Sequence, residues 1–150
     1  MTSQERVDAL TGQLREVSQE LLRQPERVER AERLVAEAER DLATAKDELK
    51  TKEAMAAEEA LQEDGLTNDT KRKQAVDKGL RDDLVVKEWR AKVADLQGKL
   101  RNAEIALKRT QADGTALRYR LEALGTSGLN NASQNLLLAA ETFAKGVTRK

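Results

Sequence analysis

Apolar residues recur at every seventh position along the first 60 residues of the chain. The series runs from Val7 to Ala56, and all eight of its members are apolar. A second series begins three residues later, at Leu10, and is mostly Leu, Val and Ala until it turns polar near its end. Two interleaved series of this kind form the heptad seam of a coiled coil. The pattern predicts one long amphipathic helix whose seam fades toward residue 60.

Pro25 is the single proline of the chain, and it falls inside this first seam. A proline in a helix removes one backbone donor and either kinks or interrupts the helix. The seam keeps its phase on both sides of Pro25, so we expect a kinked but continuous helix. A break at this point, with Pro25 opening a second helix, is the alternative.

The heptad pattern stops at a polar segment, residues 63–69. Gly65 suits the C-cap of the first helix, because glycine adopts the left-handed conformation found there without steric cost. Three residues that follow suit the N-cap of the next helix, since their side-chain oxygens accept bonds from free backbone amides. These residues are Thr67, Asn68 and Asp69.

A second heptad seam runs from Val86 to Leu124 and includes Trp89. The expected role of Trp89 is packing in this seam rather than stacking on a nucleic-acid base. Between residues 75 and 84 the apolar residues follow a four-residue rhythm that shifts the phase. Such a shift predicts a stutter close to the turn.

The two seams predict an all-α fold: a long antiparallel coiled-coil helical hairpin over residues 1–124, with its turn near residues 64–69. Folding the chain about residue 66 sets Leu42 opposite Arg90 and uses both seams over their whole length. Two helices alone bury little surface on each face. We therefore expect the hairpin to assemble into a homo-oligomeric bundle.

The segment from Gly125 to Gly128 is expected to end the second long helix. Residues 125–150 then form a tail with a short C-terminal helix at about residues 131–145. The tail either folds back onto the open end of the hairpin, forms an oligomer contact, or docks a protein partner. The candidate docking residues are Leu136, Leu137, Ala140 and Phe143.

Composition excludes several kinds of chemistry. The chain has no cysteine and no histidine, so disulfides, Cys/His zinc sites, thiol catalysis and imidazole bases are absent. No pair of carboxylates has catalytic or metal-binding spacing, and no apolar run is long enough to span a bilayer. The N-terminus lacks the pattern of a signal peptide. We expect a cytoplasmic protein that is not an enzyme and needs no metal or cofactor.

Charge is distributed unevenly along the chain. Residues 1–64 contain 10 Lys/Arg and 17 Asp/Glu, whereas residues 65–150 contain 17 and 10. Pairing the two halves of the hairpin cancels much of this difference. It leaves net −4 in the half near the turn, residues 34–98, and net +4 in the paired open half, residues 12–33 with 99–120. The gradient predicts that any polyanion site lies at the open half.

The surplus basic residues of the open half form a candidate strip for single-stranded nucleic acid, with Tyr119 facing outward among them. Basic side chains bind a phosphate backbone without reading its sequence, and an aromatic ring stacks on a base. A solvated helix face is the alternative explanation. The strip consists of Lys99, Arg101, Lys108, Arg109, Arg118, Tyr119 and Arg120.

A second basic cluster, Lys71-Arg72-Lys73, opens the helix after the turn, and an Arg- and Leu-rich stretch, residues 116–124, ends it. This combination resembles the helical recombination mediators of tailed phages and prophages, of the UvsY type. The resemblance covers about 60 residues. It implies a homo-oligomer that binds single-stranded DNA and works with a recombinase or annealing protein. It also implies that Lys71, Arg72 and Lys73 contact DNA, although the first helix beside them is strongly acidic.

The leading functional hypothesis is a non-enzymatic, oligomeric coiled-coil protein that binds single-stranded nucleic acid as an accessory factor in recombination or replication. The alternative is a structural coiled-coil scaffold or assembly adaptor that docks a protein partner through its C-terminal helix. In the alternative, the charged residues serve helix pairing and solubility rather than ligand binding.

Overall fold

The structure, a computed structural model, describes the backbone of residues 2–148 and the side chains of residues 2–126. The described backbone is all-α and contains three helices and no strand. Helix α1 spans Ser3–Leu61, α2 spans Asp69–Asp82, and α3 spans Leu84–Thr148. The predicted fold class is thereby confirmed at the level of secondary structure.

Helix α1 continues without a break through Pro25. The proline has no amide to donate to the carbonyl of Leu21, so the helix loses one backbone hydrogen bond at this point. Heptad packing on both sides of the proline outweighs that loss. The alternative of two separate helices meeting at Pro25 is therefore wrong.

The turn after α1 uses two of the predicted residues. Gly65 has a φ angle of 88°, in the left-handed region that glycine adopts at little cost. Asn68 is the N-cap of α2, and its side-chain oxygen accepts a hydrogen bond of 2.8 Å from the backbone amide of Lys71. Asn68 thus satisfies one of the amides that the first helical turn leaves without a partner.

Asp83 interrupts the helix where the sequence predicted a stutter. Its backbone is extended, with φ −70° and ψ 120°, and its amide donates to the carbonyl of Gly79. Its carboxylate accepts a hydrogen bond of 2.9 Å from the amide of Val86. One residue therefore ends α2 and caps α3, and the phase shift of the apolar residues marks a boundary between two helices.

Helix α3 runs through Gly125 and Gly128 to Thr148. The predicted helix end at residues 125–128, and a separate short helix after it, are therefore wrong. A glycine inside a helix costs only about 1 kcal/mol relative to alanine. Without a proline or a capping geometry, two such residues do not end a long helix.

The chain divides into two compact units. Unit 1 comprises Met1–Glu29 and Arg109–Lys150, and unit 2 comprises Arg30–Lys108. Each unit contains one stretch of α1 and one stretch of α3, and unit 2 also contains α2.

The core of unit 2 joins the predicted seams of α1 and α3. Leu42, Ala45 and Val93 are buried together. Four partly buried residues pack against them, and these are Leu49, Trp89, Leu96 and Leu100. Leu42 thus packs with Val93 rather than lying opposite Arg90. Arg90 instead lies beside the seam and pairs with Glu53, with 3.2 Å between Nη2 and Oε1.

Helices α1 and α2 approach closely at Gly79. A Cβ atom built on Gly79 would lie 2.8 Å from the Cβ of Ala60 and 3.6 Å from the carbonyl oxygen of Ala56. Carbon atoms in contact normally stay about 3.5–4.0 Å apart. The absence of a side chain at Gly79 is therefore what permits this approach.

Unit 1 contains a buried polar residue in its seam. Gln24 is only 7% exposed, and its Nε2 donates a hydrogen bond to the carbonyl of Thr110. Its Oε1 is buried and has no hydrogen-bond partner among the described residues. Gly114 makes room for the amide, since a Cβ built there would lie 2.6 Å from Nε2.

Replacing Gly79 by alanine is expected to lower the free energy of unfolding by about 1–2 kcal/mol. Overpacking against Ala60 costs about 1–3 kcal/mol and outweighs the gain of up to about 1 kcal/mol in helix propensity. Chemical denaturation followed by circular dichroism measures the change. The matched control is Gly12→Ala, because nothing lies within 4 Å of a Cβ at Gly12. The control should be neutral or stabilising, and an equal gain in both variants would contradict the close approach at Gly79.

Replacing Gln24 by methionine is expected to stabilise the chain by about 0.5–1.5 kcal/mol. The penalty of about 1–3 kcal/mol for a buried oxygen without a partner exceeds the contribution of about 0.5–1.5 kcal/mol from the lost hydrogen bond to Thr110. Methionine keeps the unbranched shape of glutamine, and the carbonyl of Thr110 remains within the helix. Thermal denaturation gives the readout. Gln13→Met is the control, since Gln13 is exposed on the same helix. A destabilised Gln24→Met variant would show that the Gln24–Thr110 hydrogen bond outweighs the penalty at Oε1.

Candidate nucleic-acid interface

All ten side chains predicted to contact nucleic acid are exposed. These ten residues are distributed between the two compact units. Unit 2 contains Lys71, Arg72, Lys73, Lys99, Arg101 and Lys108, and unit 1 contains Arg109, Arg118, Tyr119 and Arg120. The predicted strip at residues 99–120 is therefore two groups, of three and four residues, rather than one site within one unit.

The charge of each unit is close to balanced. Unit 2 contains 17 Lys/Arg and 18 Asp/Glu, net −1, and unit 1 contains 10 and 9, net +1. The predicted gradient of −4 to +4 assumed a division near residues 33 and 99. The division observed in the structure assigns Lys99, Arg101 and Lys108 to the more acidic unit. A net charge of +1 or −1 is too small for either unit as a whole to attract a polyanion strongly.

Arg120 lies in a groove of mixed charge in unit 1. The groove has a volume of about 310 Å³ and also contains Arg27, Glu20 and Asp113. Two guanidinium groups therefore share this surface with two carboxylates. The carboxylates lower the local potential and compete with a phosphate for Arg120.

Arg109 and Arg118 are the other two arginines of the predicted strip in unit 1, and they lie on different sides of α3. Successive residues of an α-helix are separated by about 100° around its axis. Arg118 lies nine residues after Arg109, and hence on the opposite side of α3, whereas Arg120 lies on the same side as Arg109. Arg109 and Arg120 are thus the pair that one strand could contact together.

The Lys71-Arg72-Lys73 cluster lies in the first turn of α2, where basic side chains oppose the helix dipole. Arg72 lines a groove of about 420 Å³ together with Glu63 and Asp64. These two carboxylates come from the segment after α1 and lie beside Arg72. They offset its charge locally without any external anion.

A neighbouring groove in unit 2 is acidic and was not predicted from the sequence. It has a volume of about 410 Å³ and contains Glu59, Glu63 and Asp83 beside Gly79. Among the described residues, no group of three or more acidic side chains could hold a metal ion. Asp83, the residue that ends α2, contributes one of these carboxylates. The shift in phase of the apolar residues before it is the only signal of this groove in the sequence.

Trp89 packs against the core of unit 2, as predicted. The ammonium of Lys92 lies over its ring, 4.2 Å from the ring centroid, in a cation–π contact. Core packing and Lys92 thus occupy surfaces of the indole that a base would need. Tyr119, in contrast, is 67% exposed and is open to stacking.

The candidate docking residues of the tail, namely Leu136, Leu137, Ala140 and Phe143, lie outside the described side chains. The structure places their backbone in α3 and adds nothing further about them.

Comparisons of the chain with protein-family models, with curated proteins and with solved structures find no match. The resemblance to recombination mediators therefore stays a prediction. Within the described residues, no helix has the length and apolarity needed to cross a membrane.

Proposed function

We propose that this chain is a non-enzymatic coiled-coil protein that self-associates and serves as a structural scaffold or assembly adaptor. One observation carries the proposal: large apolar side chains remain exposed on helices whose seams are already in use. Leu22 is 81% exposed and Met55 is 58% exposed. Other exposed apolar residues are Leu34, Leu61, Leu84, Val85 and Ile105. Burying such surface against another chain stabilises an assembly by about 25 cal/mol per Å².

The contacts within unit 2 support an antiparallel arrangement of its helices. Glu53 of α1 pairs with Arg90, and Ala60, seven residues further along α1, approaches Gly79. As α1 advances, its contacts move back toward the turn. An antiparallel pair of helices is the simplest geometry that gives this order.

The charge distribution also favours a scaffold. Near-neutral units keep long-range repulsion between copies small, so that apolar contacts and local ion pairs govern association. The many exposed charged residues keep the surface hydrated, and scattered surface ion pairs contribute little stability each. In this proposal the basic residues of α3 are part of a mixed surface.

The scaffold proposal predicts an oligomer in solution at micromolar concentration. Sedimentation equilibrium and light scattering measure the mass, which for one chain is 16.7 kDa. Salt screens interactions between charges but does not screen apolar contacts, so the mass should persist when ionic strength is raised from 0.1 to about 1 M. A mass of one chain at every concentration would contradict the proposal.

A second candidate function is binding of single-stranded nucleic acid, as an accessory factor in recombination or replication with a recombinase or annealing protein as partner. The exposure of all ten predicted contact residues favours it. Arg109, Tyr119 and Arg120 are the best-placed set within unit 1, because Arg109 and Arg120 share a side of α3 and the Tyr119 ring is open to a base.

Nucleic-acid binding is tested by titrating a labelled single-stranded oligonucleotide of about 40 nucleotides at several salt concentrations. If Arg109 and Arg120 contact phosphates, changing both to Gln should reduce the slope of log affinity against log salt by about 1.4, at roughly 0.7 per contact. The matched control changes Arg6 and Arg15 to Gln, which are exposed on α1 of the same unit and alter the net charge equally. An equal reduction of the slope in the two variants would show that net charge alone causes the effect. No binding at low salt would eliminate this function.

A further inference from the structure

A second, uncharged stripe follows α3 on the side of the helix away from its heptad seam. In unit 2 it repeats every seventh residue, at Leu84, Ala91, Gly98 and Ile105. All four are exposed: Leu84 is 74% exposed and Ile105 is 42% exposed. Nothing lies within 4 Å of a Cβ atom built on Gly98. The stripe therefore has no partner within its own unit.

The two edges of this stripe carry opposite charge. One edge contains Lys87, Arg101 and Lys108, and the other contains Glu88 and Asp95. All five side chains are exposed, and none of them forms an ion pair with another described residue. Stripe and edges together form an apolar line with a positive border on one side and a negative border on the other.

This arrangement selects one way of pairing two copies. When two identical helices pack in parallel along one stripe, each edge of the first helix faces the other edge of the second, as the e and g positions do in a parallel coiled coil. Lys87 then lies near Glu88 of a second copy, and Arg101 reaches toward Asp95. In an antiparallel pair each edge would face itself, so that like charges would meet.

We propose that the outer stripe of α3 in unit 2 binds the same stripe of a second copy of this chain, in parallel and in register. The inference rests on the self-association proposed above and specifies the surface that mediates it. A homodimer of this kind is isologous, with each stripe residue meeting its own counterpart. It also assigns Arg101 a role in pairing two chains, which accounts for this basic residue without nucleic acid.

Single cysteines test the geometry directly, because the chain contains no cysteine of its own. Ala91→Cys and Ile105→Cys are each treated with a short homobifunctional maleimide, and covalent dimers are counted on a denaturing gel. A parallel, in-register pair gives dimers efficiently at both positions, since each residue meets itself. An antiparallel pair gives them only near its crossing point and so at one of the two positions at most.

Gln97→Cys is the control for collisional cross-linking. Gln97 is exposed but lies beside the heptad seam rather than on the outer stripe. It should give at least fivefold fewer dimers than Ala91→Cys. Efficient dimers at Gln97 without dimers at Ala91 and Ile105 would overturn the proposal and indicate association through the seam.

A charge exchange provides a second, independent readout. Lys87→Glu and Glu88→Lys should each weaken dimerisation in sedimentation equilibrium by about threefold, the effect typical of an exposed ion pair. The double variant should restore the original affinity with unchanged helicity. Additive losses in the double variant would overturn the parallel arrangement. An oligomer that forms no stripe cross-links would refute this inference and leave the scaffold proposal standing, whereas a monomer would refute both.

Discussion

Packing along a narrow seam between α1 and α3, within each unit, is the constraint on which the rest of the structure depends. Among the described residues, seven apolar side chains are buried, and three of them are alanines. A fully buried Val or Leu contributes about 1.5–3 kcal/mol, and an alanine contributes much less. Each heptad therefore adds little, and the fold gains its stability from the number of heptads rather than from a concentrated core. Close approaches such as that at Gly79 matter because they bring small side chains into contact.

A seam this thin leaves most side chains in water, and that explains the charge pattern. Both units consist of exposed acidic and basic residues in nearly equal number. Under such conditions a basic cluster in the sequence is a weak indication of a ligand, because carboxylates from the neighbouring segment lie beside it. Arg72 with Glu63 and Asp64 is the clearest case. The net charge of a short segment says less about binding than the net charge of the whole surface on which the segment lies.

The sequence was informative wherever a feature is local or periodic. The heptad series correctly predicted the buried and half-buried positions of α3, and the Asn68 cap follows from one side chain and one amide. In the sequence, the break at Asp83 is visible only as a phase shift of the apolar residues. An aspartate among many charged residues has no distinguishing pattern, and its role is evident only from the hydrogen bond that its carboxylate accepts from the amide of Val86. Gly125 and Gly128 misled because glycine weakens a helix without ending it.

The candidate site was predictable only in part, for a related reason. Exposure of the basic side chains follows from their heptad positions and needed no structure. Their division between two units depends on contacts far apart in sequence, which periodicity does not report. The acidic groove beside Gly79 depends on the same kind of contact. All ten residues predicted to contact nucleic acid are exposed. Their role in nucleic-acid binding stays a prediction.

The pairing of Gln24 with Gly114 has a mechanical consequence. Some two-helix proteins transmit signals by sliding one helix along the other, which requires several registers of similar energy. A slip of one heptad toward the end of α3 would bring Gln24 from Gly114 to Leu121, where a side chain fills the space. It would also break the bond to the carbonyl of Thr110 and leave a second buried polar atom without a partner. Gln24 and Gly114 therefore make the observed register of unit 1 more favourable than its neighbours one heptad away.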